Sequence, residues 1–200
     1  SANKQSARRA APDPDLKVRT ALDRAAERIT GKFDTQPEVE AAIRSTMGEA
    51  YTDLGVYPEA RKQLERALEL QRKVLGPENP KAIETLHILG RTALYQGKHT
   101  DAESLASRAL EVSRRVLGLE HPTTLMTMTG LANAYYIQGK YAQAETLYSD
   151  VIRIRRRTSG PDGVDTLAMN NLASVYTAQG KYKQAEALQI ETIAIRSRSI

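Results

Sequence analysis

Three histidines and a recurring set of glutamates are the side chains in this chain best suited to chemistry. His87, His99 and His121 are residues of the type that ligates metals or moves protons at neutral pH. Glu103, Glu145 and Glu186 are of the type that works as acid and base. Their placement assigns them to other work. The histidines occupy three different places of the pattern described below, so no ligand cluster arises, and each glutamate follows an alanine at one place of that pattern. The sequence contains no Gly-x-x-x-x-Gly-Lys phosphate loop, His-Glu-x-x-His zinc helix or Gly-x-Ser-x-Gly elbow. It also has no cysteine, hence neither thiolate nor disulfide. No nucleophile, base and orienting group can be assembled, so the sequence predicts no enzyme, no metal and no cofactor, and binding must carry the function.

The composition supports a helical binder. Of the 200 residues 40% are hydrophobic and 26% charged, with many Ala, Leu, Glu, Arg and Gln, which favour helix. No stretch reaches the roughly 18 to 20 apolar residues that span a bilayer, and Ser1-Ala2-Asn3-Lys4-Gln5 lacks a signal's apolar core. The net charge is +5. Its arginines (114 and 115; 153 and 155 to 157; 196 and 198) gather near predicted helix ends, where cations complement the macrodipole. They alternate with Ile152 and Ile154 and form no basic stripe with interleaved aromatics, so nucleic acid is not an expected partner.

One word is written four times along the chain: Gly55-Val56-Tyr57-Pro58-Glu59-Ala60, Gly97-Lys98-His99-Thr100-Asp101-Ala102, Gly139-Lys140-Tyr141-Ala142-Gln143-Ala144 and Gly180-Lys181-Tyr182-Lys183-Gln184-Ala185. The glycines are 42, 42 and 41 residues apart, the period of a stacked array. Before each glycine, apolar residues such as Met128, Leu131 and Tyr135 keep helical spacing, and after it Tyr141, Ala144, Leu147, Tyr148 and Val151 do the same. Each unit is a helix, a glycine-ended turn and a second helix. Small residues Gly48, Gly90, Ala132 and Ala173 oppose Ala60, Ala102, Ala144 and Ala185, as a close helix pair requires. Leu75-Gly76-Pro77-Glu78-Asn79-Pro80 and Leu117-Gly118-Leu119-Glu120-His121-Pro122 connect units, and the shorter Thr158-Ser159-Gly160-Pro161-Asp162-Gly163 is expected to be the most mobile junction.

The run Leu131-Ala132-Asn133-Ala134-Tyr135-Tyr136-Ile137-Gln138-Gly139-Lys140-Tyr141 with Ala144 resembles the tetratricopeptide repeat. The 42-residue spacing, with Leu-Gly-Pro-Glu-Asn-Pro at 75 to 80 and Asn170-Asn171-Leu172-Ala173, is similar to the kinesin-light-chain type of that family. The resemblance implies an all-α, right-handed superhelical solenoid. Arg44, Ala93 and Thr192 depart from it: Arg44 stands where a large apolar residue is usual, Ala93 replaces the tyrosine found at 51, 135 and 176, and Thr192 replaces a small or aliphatic residue. The expected organisation is a disordered lead (1–14), a capping helix (15–31) and four repeats at about 37–79, 80–121, 122–162 and 163–200, the last truncated. Residues 12 to 44 are also similar to the stretch opening such arrays in multidomain bacterial serine/threonine kinases. This implies a signalling parent; the compartment stays open, with cytoplasm favoured and an extracytoplasmic site the alternative for a membrane-bound kinase.

In that family the first helices line the concave surface. Carried over, the resemblance places Glu49, Glu84, His87, Arg91, Tyr95, Met126, Asn133, Tyr136, Asn170 and Ser174 there as candidate peptide contacts. Asparagine can both donate to and accept from an extended peptide's backbone, and tyrosine supplies flat area with a polar tip. Arg91 either meets an acidic group or neutralises Glu49 and Glu84. The expected function is a non-catalytic scaffold for a protein or peptide. The alternatives are self-association through an uncapped C-terminal end, where Leu188, Ile193 and Ile195 keep apolar surface, and the regulatory arm of a larger signalling enzyme.

Overall fold

The computed structural model describes residues 14–160 and 165–198. The lead, apart from Pro14, and residues 161–164 of the third connector lie outside the described residues. Among those described, every regular element is an α-helix, in the order α1 (Pro14–Ile29), α2 (Pro37–Asp53), α3 (Tyr57–Leu75), α4 (Pro80–Tyr95), α5 (His99–Leu117), α6 (Pro122–Ile137), α7 (Tyr141–Ser159), α8 (Thr166–Ala178) and α9 (Tyr182–Arg198).

Local chemistry sets these boundaries. Each first helix stops where a glycine takes a left-handed φ, 73° at Gly55 and 75° at Gly180, a conformation that costs residues with a Cβ. Prolines at the first turn start α2, α4 and α6. The residue before α4, α6 and α8 caps it with a side chain: Asn79 accepts from the Lys81 N–H, His121 Nδ1 from the Thr123 N–H, and Asp165 from the Leu167 and Ala168 N–H groups. His121 thus has a structural role.

Consecutive helices pack as antiparallel pairs, and these pairs stack into an all-α repeat solenoid. The backbones of the inner helices α2, α4, α6 and α8 approach one another in turn, whereas those of α3, α5, α7 and α9 approach only their sequence neighbours and are bridged by long side chains, Arg61 to Asp101 and Arg156 to Glu191. The array is therefore closed along its inner layer and splayed along its outer one. Inside each pair, Ala60, Ala102, Ala144 and Ala185 are buried at the helix crossing. The core runs onward through Leu64, Ile83, Leu125, Met128, Ile154 and Met169, all without significant exposure.

Polar groups stitch neighbouring units. Ser45 and Thr85 hydroxyls lie 2.9 Å apart and those of Thr52 and Thr92 2.8 Å apart, joining α2 to α4. Arg44, at the register of Leu86 and Met128, is buried as an ion pair. Its Nε donates to Glu40 at 2.7 Å and its Nη1 to Gln63 at 2.6 Å. Removing one partner of such a pair leaves a buried charge and costs more than replacing both. α1 lies on α2, where the Tyr51 hydroxyl donates to Asp23 at 2.7 Å, and burial together with that carboxylate pushes the phenol pKa up.

The two glycines at the helix crossings differ. A Cβ on Gly48 would lie 2.4 Å from Leu64 Cγ, whereas one on Gly90 would meet only ordinary contacts at 3.5 Å or more. Gly90→Ala should therefore raise stability by about 0.5 to 1 kcal/mol, the entropy of a helical glycine. Gly48→Ala should lower it by about 1 to 3 kcal/mol through overpacking. Thermal and urea unfolding of the two variants checks both signs.

Candidate functional site

The inner surface is a ladder of equivalent positions. Counted from Met47, Leu89, Leu131 and Leu172, the second residue onward is Glu49, Arg91, Asn133 and Ser174. Two residues before the same anchors stand Ser45, His87, Thr129 and Asn170, and five before them Ala42, Glu84, Met126 and Leu167. Because the inner helices pack side by side, each set forms a row across the array.

The rows divide into a charged half and a neutral half. In the first two units, Arg91 Nη2 reaches Glu49 at 3.3 Å and Asp53 at 3.4 Å, with Glu84 exposed nearby on α4. Arg91 thus neutralises carboxylates of its own array, though with Glu49 and Asp53 rather than Glu84. In the third and fourth units Met126, Thr129, Asn133, Tyr136, Asn170 and Ser174 carry no charge. Tyr95 is 56% exposed and leans on Tyr57, with centroids 6.2 Å apart. Tyr136 is half-buried against Tyr141 at 5.8 Å. His99, which takes the place of Tyr57, Tyr141 and Tyr182 in the repeated word, is exposed.

Two candidate residues are drawn into the fold. Asn133 Oδ1 accepts from the buried Tyr148 hydroxyl and, at 3.2 Å, from Asn171 Nδ2, so it ties α6 to α7 and α8. Burial raises the Tyr148 pKa. His87 lies against Gly130 of the next inner helix, where an added Cβ would come within 2.8 Å of the ring. Burial, helped by the Arg91 charge, pushes its pKa down to about 4. His87 is therefore a neutral packing ring at physiological pH. Among the described residues no group of three histidines, aspartates or glutamates could hold a metal ion.

Position-by-position reading of the sequence missed two features. Leu167 shares Met126's register and is exposed, which the row predicts once the anchors are aligned. The other is a bolt between units: Lys140 Nζ reaches Glu103 at 2.6 Å above the Tyr135 ring, and Lys181 Nζ reaches Glu145 at 2.8 Å above the Tyr176 ring. The hydrogen bond from each lysine, against the opposing effect of burial, holds its glutamate below the usual carboxylate range. The first junction lacks this bolt, because Arg61 replaces the glutamate and Ala93 the tyrosine.

His87 gives the array a pH dependence of definite sign. Its folded pKa lies below the unfolded value of about 6.5, so the unfolded chain binds the extra proton and stability falls as pH drops from about 6.5 toward 4. The loss attributable to this residue should approach up to about 3 kcal/mol at the acid end. His87→Gln should flatten the dependence between about pH 6.5 and 4.5, a window above most carboxylate titrations. Urea unfolding of both proteins across that window measures it.

Comparison with known proteins places this geometry. The family model for the tetratricopeptide repeat matches residues 39–114, 89–157 and 125–198. Among solved structures, BtubC from P. vanneervenii is 22% identical with TM-score 0.77, over 92% of this chain and 74% of that one. A putative kinesin light chain with nearly identical TPR-like repeats from Podosopora anserina is 24% identical with TM-score 0.71, over 92% and 86%. A Rap protein complexed with competence and sporulation factor is 17% identical with TM-score 0.74, over 92% and 50%. At these identities the likeness is one of fold. No curated protein matches the sequence. Residues 39–198 are spanned by the matched repeats, and the chain belongs to the tetratricopeptide repeat family.

Proposed function

We propose that this chain is a non-catalytic scaffold that binds an extended segment of a partner protein across the inner faces of α4, α6 and α8. The observation that carries this reading is a set of apolar side chains left exposed at matched register on neighbouring inner helices. Tyr95 and Ile137 (56% and 52% exposed) form one row, and Met126 and Leu167 (38% and 60%) form another. Packed helices lie about 8 to 10 Å apart. A peptide in polyproline II conformation advances about 9 Å in three residues. Every third side chain of such a segment therefore meets the next inner helix. The polar groups of Asn170 and Ser174 and the amide nitrogen of Asn133 flank those rows and suit a backbone that cannot satisfy itself. Arg91 is engaged by Glu49 and Asp53, so selectivity for a free carboxylate is weak on this face.

Peptides selected on the chain from a random display library test the reading. Tyr95→Ala, Met126→Ala and Ile137→Ala change exposed groups and should leave unfolding near wild type. Together they should weaken the selected peptides by about a hundredfold. Peptides indifferent to all three, or selected equally by a denatured control, rule this face out.

A second reading rests on Ile193. Its register equivalents Leu68, Leu110 and Ile152 are 7%, 5% and 5% exposed under the following unit, whereas Ile193 is 67% exposed beside exposed Ile190. Copies meeting through α9 cover this row. Static light scattering should then show mass rising with concentration, and Ile190→Lys with Ile193→Lys should return the protein to a monomer. A monomer at every concentration excludes this association.

A further inference from the structure

Because the outer helices splay, each junction between units leaves a trough whose floor is an inner helix. Between α7 and α9 the trough is wide, 500 Å³, and Arg156 Nη2 meets Glu191 across it at 2.7 Å beside the Tyr176 ring. Between α3 and α5 the same trough is a confined cleft of 180 Å³. Register ties the two together. Leu68, Leu89 and Leu105 occupy the positions of Ile152, Leu172 and Leu188, and Arg72 that of Arg156. Three exchanges set the first cleft apart: Ala93 stands where Tyr176 stands, Arg108 where Glu191 stands, and Glu65 where Ser149 stands. A ring has been removed, and an ion pair has become two like charges.

The polar groups of this cleft are unevenly matched. Glu65, the carboxylate in its lining, is taken by Arg61 at 2.7 Å, and Arg61 also reaches Asp101 at 3.5 Å. The Nε of Arg72 is buried without a hydrogen-bond partner, and burial together with the neighbouring Arg108 charge disfavours the protonated guanidinium. Gln96 Oε1, toward the Ala93 end, is likewise buried and without a partner, as is the Oε1 of its counterpart Gln179. At the other junctions the amide groups of Gln138 and Gln179 donate to Glu103 and Glu145, so what sets Gln96 apart is that Arg61 stands in place of that carboxylate. Arg72 and Arg108 also border a neighbouring cleft with Glu78, Glu111 and Arg115, where Glu78 pairs with Arg115 at 2.6 Å.

An apolar cavity of about 150 Å³ takes up a benzene ring. Two adjacent guanidiniums offer forked donors that match a carboxylate. We propose that the cleft between α3, α4 and α5 binds a small aromatic acid. Its ring lies over Leu68, Leu86 and Leu89 in the space left by Ala93, its carboxylate bridges Arg72 and Arg108, and a ring hydroxyl donates to Gln96 Oε1. The ligand restores in one molecule the ring and the negative charge that the third junction supplies from Tyr176 and Glu191. This site lies among the outer helices and is independent of the inner peptide surface.

Calorimetry and amide chemical shifts of the isotope-labelled chain titrated with para-hydroxyphenylacetate test it. Saturable binding with shifts around Ala93, Gln96 and Leu105 is expected. The neutral para-hydroxyphenylacetamide, and acetate without the ring, should each bind at least about tenfold more weakly. The double variant Arg72→Gln with Arg108→Gln should lose affinity by a similar factor, and Ala93→Tyr should fill the cleft and abolish binding while unfolding cooperatively. Absence of saturable shifts, equal affinity for the amide, or binding undiminished by either variant overturns the proposal. Tighter binding of a blocked Asp-Tyr dipeptide than of the free acid overturns the small-molecule assignment in favour of a partner's side chains.

Discussion

Close approach of the two helices inside each unit is the constraint on which the rest of the structure depends. Ala60, Ala102, Ala144 and Ala185 sit at the crossing with almost no exposed surface, opposite Gly48, Gly90, Ala132 and Ala173. A larger residue at these places pushes the pair apart, and the displacement would accumulate along the stack. With the crossings fixed, packing density along the inner layer decides the curvature. The inner helices touch and the outer ones diverge, so one operation creates both a continuous inner surface and the discrete clefts between α3, α5, α7 and α9. Most positions of the exposed inner face, Asn133 and His87 excepted, are then relieved of structural duty, because the residues that hold each pair point toward its second helix.

The junctions between units are not equivalent. At the second and third, lysine, glutamate, glutamine and tyrosine form a compact bolt whose ionic members are a quarter to two-fifths exposed. An ion pair at that exposure is worth little by itself. The lysine over a tyrosine face and the glutamine on the same carboxylate make it cooperative. The first junction relies instead on Ser45–Thr85 and Thr52–Thr92 hydroxyl pairs between α2 and α4 and on Arg61 reaching Asp101. Exchanging Glu for Arg at 61 and Tyr for Ala at 93 is coherent: without the acid, Lys98 has no anchor, and without the ring it has no surface to cross.

The repeat period, the turn glycines and the small residues at the crossings made the fold readable from sequence, because each is a local requirement of a helix or its end. The rows of the inner surface were readable for the same reason, since register follows from the anchors. What lay beyond sequence was the commitment of individual polar atoms. Asn133 meets Asn171 across a separation of 38 residues, and the separation alone does not say whether its oxygen faces a neighbour or solvent. His87 read as a surface contact because a histidine fits there, but the absence of a Cβ on Gly130 lets its ring settle inward. Arg44 looked like a flaw in an apolar position. Its partners Glu40 and Gln63 lie on its own helix and the next, a match visible only once the two faces are brought together.

These commitments sharpen how the inner surface divides its labour. Where Arg91 bonds to Glu49 and Asp53, any partner charge must displace contacts already made, so the first two units offer compensated polarity and little net attraction. In the third unit, Asn133 spends its oxygen on Tyr148 and Asn171, which fixes its amide and leaves the nitrogen as a directed donor. A fixed donor loses less entropy on binding than a free side chain, so an asparagine anchored by the fold is a better backbone reader than one standing in solvent. The residues that tie α6 to α8 therefore also orient the polar groups of this surface, and on the proposed reading stability and recognition share the same hydrogen bonds in the half of the inner face that carries no charge.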